Sequence, residues 1–445
     1  MRASLHTLGC RLNQSESLLM GDQLERAGYR LVPFGQPCDL AIINTCTVTR
    51  LADAKCRTAI RRLIRENPGA FVAVVGCYSQ IGYKEIARIP GVDLIVGNGE
   101  KLNILQYVSL GKNEHPVIIR DRITKEDFSI EFVGERPYPR RANLKIQDGC
   151  SFVCSFCIIP KARGPARSRD LSNLLEEARG QVARGVRELV LSGVNLGTFR
   201  SGEGDLVTVV DALNALDGLE RIRISSIEPT TVPLELLARM NDPYHALLPF
   251  LHLPLQSGSD KVLSSMRRKY TVREYLSFVH RAKELVSGLC LGTDIMVGYP
   301  TEGEREFEET MRTFAENHVS YCHVFPFSER QGTLAARMKV RHDVAVKRMR
   351  SAKLRRLSER KRYDYYRSHL GREATVLFED PRGNFWPGYT DNYIRGVVQS
   401  NEDLRNRIGR VHLDRLAGNV VEGRLVEVVP DQLTANGRSS ALSAG

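Results

Sequence analysis

No uninterrupted apolar run in this 445-residue chain approaches the ~18 residues needed to cross a bilayer. The N-terminal stretch MRASLHTLGCRL has no apolar core of the length a secretory signal requires. These absences predict a cytoplasmic protein with no membrane partner. They also bear on its ten cysteines. Without an export signal, a disulfide framework is a poor reading, because a reducing compartment keeps thiols free for metals and catalysis. The last segment, DQLTANGRSSALSAG, has little apolar content, so residues 431–445 are expected to be disordered.

At 50.0 kDa the chain is too long for one ordinary core, and a prior of about 150 residues per domain suggests roughly three. Charge is spread unevenly among them. Lysine plus arginine minus acids gives 64 − 52 = +12, yet 337–372 alone holds 14 basic and 3 acidic residues, or +11. So dense a group of cations is most useful beside a polyanion, where released counterions drive association. The plainer alternative is a solvated helix face.

From residue 1 to 111, short apolar runs alternate with helix-like stretches, which predicts a parallel α/β domain. ASLHTL, LAIINT and AFVAVVG read as strands, and each ends within a residue or two of a cysteine: Cys10, Cys46 and Cys77. Strand C-termini of an open parallel sheet share one edge, so these three thiols can converge. The alternative is three independent core cysteines. Cys38 and Cys56 lack this placement and read as buried or incidental thiols.

A charged, proline-containing connection over 112–141 leads to the central region, 136–366, which ends in the basic helix. ANLKIQ, RELVLSG, RIRISSI, FLHLPLQ, LGTDIMVG and SYCHVFPF read as strands with helical patterns between them. Six βα units make a partial parallel (β/α)6 barrel, whose chemistry belongs at the strand C-termini. There lie Cys150, Cys154 and Cys157 after the first strand, Ser192 to Asn195 after the second, and Gln256, Ser257 and Gly258 after the fourth. Polar and glycine residues after a strand also serve ordinary turns. His252 and His323 read as core histidines rather than ligands. In 367–430, TVLFED, YIRGVVQ, GRVHLD and RLVEVV suggest a small antiparallel β-barrel. There Trp386, Tyr389 and Tyr393, among Arg382, Arg395 and Arg405, could stack on unpaired bases or simply fill the barrel.

The stretch DGCSFVCSFCIIP puts three cysteines within eight residues, with no histidine or fourth cysteine to complete the set. Structural zinc wants four protein ligands and fits poorly. Three thiolates on a four-iron cube leave one iron open to an exogenous ligand. The same reasoning applies to Cys10, Cys46 and Cys77 if they converge.

CxxxCxxC after the first strand of a six-unit barrel resembles the radical S-adenosylmethionine enzymes. The chain from about residue 4 to 430 further resembles the methylthiotransferases within them. LGCRLNQSES, INTCTVT, KIQDGCSFVCSFCIIPKARG, RIRISSIEP, HLPLQSGSD and HVFPFSERQGT look most like the branch acting on N6-threonylcarbamoyladenosine in transfer RNA. The isopentenyladenosine branch usually has GCQMN at its first cysteine, and the branch acting on an aspartate of ribosomal protein S12 has CPKN. Arg11, Leu12 and Asn13 follow Cys10 here. Two departures stand out: Cys56 where serine is common, and Pro300, Thr301, Glu302, Gly303 in place of PGET.

The resemblance implies two [4Fe–4S] clusters, one on Cys150, Cys154 and Cys157 and one on Cys10, Cys46 and Cys77, together with S-adenosylmethionine. It also implies a TRAM-like RNA-binding domain over 367–430. One cofactor molecule would methylate a sulfur on the second cluster; another would be split to a 5′-deoxyadenosyl radical that takes hydrogen from C2 of adenine 37 in the tRNA anticodon loop. The carbon radical would then capture the methylated sulfur. Gly193 and Asn195 are expected near the methionyl end of the cofactor, and Gln256 and Ser257 on the cavity wall. A reductant such as flavodoxin or ferredoxin is the implied partner. A non-catalytic iron–sulfur RNA-binding protein is the reading from another class.

Overall fold

Alternation of side chains along short apolar strands builds the first layer of the molecule. A computed structural model describes residues 1–109, 111–131, 141–202 and 204–430. β1 (Arg2–Thr7), β2 (Arg30–Val32), β3 (Leu40–Thr45), β4 (Phe71–Gly76), β5 (Leu94–Val96) and β6 (Val117–Ile119) form one sheet in the order β2-β1-β3-β4-β5-β6, parallel throughout. β3 and β4 are buried on both faces, as central parallel strands must be. Ala41, Ile43, Val72 and Val74 share one core with Cys56, Ile60 and Leu63 of helix α2 (Arg50–Glu66). Ile42, Ala73 and Val75 share the opposite core with Met20 and Leu24 of helix α1 (Arg11–Arg26). Each large side chain buried this way contributes roughly 1.5–3 kcal/mol. The edge strand β6 lies in the connection expected from residue 112, past the expected boundary at 111.

The central region supplies six parallel strands matching the six expected runs: Arg141–Lys145, Glu188–Ser192, Arg221–Ile224, Phe250–His252, Cys290–Val297 and Tyr321–Pro326. They pair as two three-stranded sheets joined by isolated bridges between Ile222 and Leu247 and between Ser226 and His252. The result is the open (β/α)6 arrangement, with its cysteine loop leaving the first strand. The basic run forms a 24-residue helix, Val344–Arg367, against the sixth strand. Arg348, Lys353, Arg355, Arg356, Arg360 and Arg367 are exposed on it. Arg350 is its buried exception and pairs with Glu302 at 2.6 Å. Glu302, which PTEG shares with PGET, also accepts from Gly298 N and so fixes the turn after the fifth strand.

Five strands close the last region into a barrel: Glu373–Phe378, Phe385–Thr390, Arg395–Gln399, Val420–Val428 and Ile408–Ala417 in that order. The four expected strands are joined by a fifth, FWPGYT, which Pro387 and Gly388 had disguised. One ladder, Gly396–Val398 against Val421–Gly423, is parallel, so the expected purely antiparallel barrel is corrected on that edge. Trp386 is 6% exposed in this core and donates to Ser400 O, so it fills the barrel rather than meeting bases. The tail expected to be disordered lies outside the described residues.

No helix of the described residues is long and apolar enough to cross a membrane.

Candidate functional site

Cys10, Cys46 and Cys77 follow β1, β3 and β4, three neighbouring strands of one parallel sheet, and so reach the same edge. Gly9, at φ +116°, lets the first loop come close: a Cβ there would lie 2.8 Å from Cys46 Cβ and 3.2 Å from its Sγ. The Cys46 thiol is pushed up to about 11 by burial, and negative charge on Cys77 and Cys10 adds to the shift, as expected for neighbours. Cys56 packs beneath, donating to Cys46 O at 3.4 Å; burial pushes it up to about 12, which keeps it a neutral donor. Cys38 is buried in the core on one face of the sheet.

In the barrel loop, Cys157 is pushed up to about 12 by burial, with charge on Cys154 and Cys150 adding to the shift. Burial also raises Cys150. Against these stands one cation: Arg268 donates to Cys154 Sγ at 3.3 Å and pairs with Glu228 of the IEP stretch. Among the described residues, no three His, Cys, Asp or Glu side chains sit close enough to hold a single metal ion. A four-iron cube spreads its thiolates further apart than one ion does. Three thiols in the barrel loop beside the Arg268 cation suit an anionic cluster better than a closed zinc site.

The residues after the second strand are held from the first. Gln147 Oε1 accepts from Val194 N at 2.7 Å and Asn195 N at 3.0 Å, while its Nε2 donates to Asp148 O and Gly149 O. Gly193 must be glycine here, since a Cβ would meet Gln147 Oε1 at 2.8 Å. Asn195 is 1% exposed; its Oδ1 accepts from Glu228 N and Thr231 Oγ1, and its Nδ2 is buried without a partner among the described residues. An orphaned buried donor is the feature a bound polar group would satisfy. Gln256 adopts φ +67° and bridges Ile295 through its backbone. Ser257 is fully buried on Thr310. Neither lines the cavity described next, because their turn packs against the helix Glu304–Glu316.

That cavity, about 430 Å³, opens where all three regions meet. Cys10, Arg11 and Leu12 come from the start of helix α1 in the N-terminal region, Gly193, Ser226, His252 and Asp294 from the barrel, and Tyr393 from the last region. Cys150, Cys154 and Cys157 do not line it; Gln147, which holds the Gly193 turn, donates to Gly149 O beside Cys150. His252 is buried and hydrogen-bonded, as expected, yet borders the cavity; His323, also expected in the core, is exposed and borders it too. His252 Nε2 lies 2.9 Å from Asp294 Oδ1, and the two imidazoles stack at 5.4 Å. Phe250, Tyr321 and Tyr389 surround the Tyr393 ring at 4.5, 6.5 and 4.8 Å.

Other positioning residues were not visible in the sequence. Asn98 Nδ2 donates to Cys77 Sγ at 3.4 Å and to Ala162 O at 2.6 Å, bridging the two cysteine loops. Glu16 lies among Lys101, Lys145 and Arg163, and Asp148 among Lys145, Arg163 and Arg167. Arg221 and Arg223 of the third barrel strand donate to carbonyls of Tyr389, Thr375, Asp391 and Thr390, which docks the small barrel.

Residues 2–97 match the model of the uncharacterized protein family UPF0004, and residues 144–314 match the radical SAM superfamily. The fold is similar to that of the radical S-adenosylmethionine methyltransferase TsrM from Kitasatospora setae, at TM-score 0.51 and 12% identity over 73% of this chain and 74% of that one. The chain is 37% identical to the threonylcarbamoyladenosine tRNA methylthiotransferase MtaB of Bacillus subtilis over 98% of this chain and 99% of the relative. It is 35% identical to the protein of that name from Aquifex aeolicus over 91% of this chain and 99% of the relative. It is 32% identical to the tRNA-2-methylthio-N(6)-dimethylallyladenosine synthase of Roseobacter denitrificans, over 97% of each. Relatedness at this level runs through the sheet, the barrel and the small barrel alike, and the chain belongs to the radical S-adenosylmethionine methylthiotransferases, iron–sulfur enzymes that use that cofactor.

Proposed function

We propose that this enzyme converts N6-threonylcarbamoyladenosine at position 37 of the tRNA anticodon loop to its 2-methylthio derivative, using two [4Fe–4S] clusters. The observation that carries the reading is the cavity that Cys10 lines together with Gly193 and Tyr393, with the Gly193 turn tied by Gln147 to Gly149 beside Cys150, because sulfur insertion needs the substrate between the two cysteine sets. Cys150, Cys154 and Cys157 would hold the cluster that binds S-adenosylmethionine, and Cys10, Cys46 and Cys77 the second. When bound, these groups supply a carbon-centred radical and a methylated sulfur. Arg268 balances the negative charge at Cys154, and the free Nδ2 of Asn195 offers a donor to a polar cofactor group. Phe250, Tyr321 and Tyr393 give an unpaired base faces to stack on, and the His252–Asp294 pair gives its edge hydrogen-bonding partners. The same walls exclude water, which would quench a radical.

The exposed cations of the Val344–Arg367 helix would run along the phosphates, while the aromatic cavity takes the base. A substrate in cytoplasmic tRNA and a reductant such as flavodoxin or ferredoxin complete the reading. Nucleoside mass spectrometry of tRNA from strains with and without the gene tests it. Deletion should remove the 2-methylthio group from threonylcarbamoyladenosine, and wild type but not Cys154→Ala should restore it. Persistence of that group in the deletion strain would overturn the proposal.

A further inference from the structure

C2 and N6 of adenine flank N1 on one edge of the ring. Whatever reads the N6 substituent must therefore stand beside the group that delivers sulfur to C2. Arg11 directly follows Cys10 and, among the described residues, is the only arginine or lysine lining the cavity. Its Nη2 donates to Tyr393 Oη at 3.0 Å, 382 residues away, and no carboxylate pairs with it among the described residues. The acid in that wall, Asp294, is engaged by His252.

Tyr393 is itself held firmly. Its ring is stacked on Tyr389 at 4.8 Å, packed on Phe250 at 4.5 Å and backed by Arg223 at 5.1 Å. Its backbone sits at φ +68°, a left-handed conformation that a non-glycine residue keeps only where the surroundings impose it. A guanidinium has five N–H donors in a rigid fork, and Arg11 uses one of its η nitrogens on the tyrosine. The rest of the fork is left for a planar anion.

We propose that Arg11, positioned by Tyr393, is the specificity residue that binds the free carboxylate of the threonylcarbamoyl group. The inference rests on the substrate reading above and deepens it: a neutral N6 substituent would leave this cation without a partner inside the cavity, whereas an amino-acid substituent satisfies it. Tyr393 belongs to the small barrel, so substrate selection is shared between the first and last regions of the chain.

The test uses anaerobically reconstituted full-length enzyme and three anticodon stem-loops, bearing at position 37 threonylcarbamoyladenosine, its methyl ester, or plain adenosine. Wild type should bind the acid about 10- to 100-fold more tightly than the ester, the range for a hydrogen bond to a charged group. Arg11→Met should erase that preference by weakening the acid alone, with iron content unchanged, and Arg11→Lys should keep part of it. If Arg11→Met loses iron, Tyr393→Phe decides, since it removes only the acceptor; it should lower acid selectivity several-fold. Equal weakening of all three loops by Arg11→Met at unchanged iron content, unaltered selectivity in Tyr393→Phe, or no acid preference in wild type would overturn the inference. The substrate reading fails separately, if wild type adds no methylthio group to the acid-bearing loop by nucleoside mass spectrometry.

Discussion

Arg163 meets Glu16 across 147 residues of sequence, Nη1 to Oε1 at 3.0 Å and Nη2 to Oε2 at 3.1 Å, with both side chains at 1% exposure or less. One belongs to the helix that follows Cys157, the other to the helix that follows Cys10. Breaking a buried pair by removing one partner leaves uncompensated charge and costs about 3–5 kcal/mol. Glu16→Gln should therefore lower the urea midpoint markedly. Glu131→Gln, whose pair with Arg26 is exposed on both sides, should leave it nearly unchanged.

The same network sets an acid limit. Burial alone would raise Glu16 and Asp148, but Arg163, Lys101 and Lys145 around the first, and Lys145, Arg163 and Arg167 around the second, hold both well below the usual carboxylate range. A carboxylate whose folded value is depressed contributes stability above its unfolded value, near pH 4, and that contribution is lost as pH falls further. Stability followed by fluorescence should drop steeply below about pH 4, and the acid limb of Asp148→Asn should be shallower.

Removing each thiol set should have separable effects. Wild type is expected to hold about eight irons per chain. Cys154→Ala should bind about four and lose reductive cleavage of S-adenosylmethionine; Cys46→Ala should also bind about four but retain cleavage. Cys56→Ser should keep all of them, since Cys56 donates to a backbone carbonyl. Iron analysis alongside 5′-deoxyadenosine release checks all three.

Tight anion binding along the basic helix should show in salt dependence. Replacing exposed Arg348, Arg355 and Arg356 by glutamine should weaken tRNA binding without changing which nucleoside is modified. For each of these cations that neutralises a phosphate in wild type, the slope of log affinity against log salt should fall by about 0.7–0.9 in the variant.

What could be read without coordinates follows from physical range. Cys10, Cys46 and Cys77 were legible because strand ends are a local pattern and a parallel sheet brings them to one edge. The six barrel strands were legible because buried parallel strands are nearly continuous apolar runs. The strands β2, β5 and β6 were not, at three residues each, and FWPGYT carried residues that argue against a strand. Gln147, Asn98 and Arg163 escaped notice since their partners are 48, 64 and 147 residues away, and no local spacing encodes such a meeting. His323 was misplaced because a polar side chain on a strand near a cavity mouth has the same sequence pattern as one in a core.

The lattice of Glu16, Lys101, Lys145, Asp148 and Arg163 also limits how this architecture can be divided. Excised at residue 111, the N-terminal sheet would forfeit its sixth strand and leave Glu16 with a single cation. A chimera of two relatives joined in the linker must therefore inherit these five positions as a set from one parent, or carry an unbalanced charge at its seam.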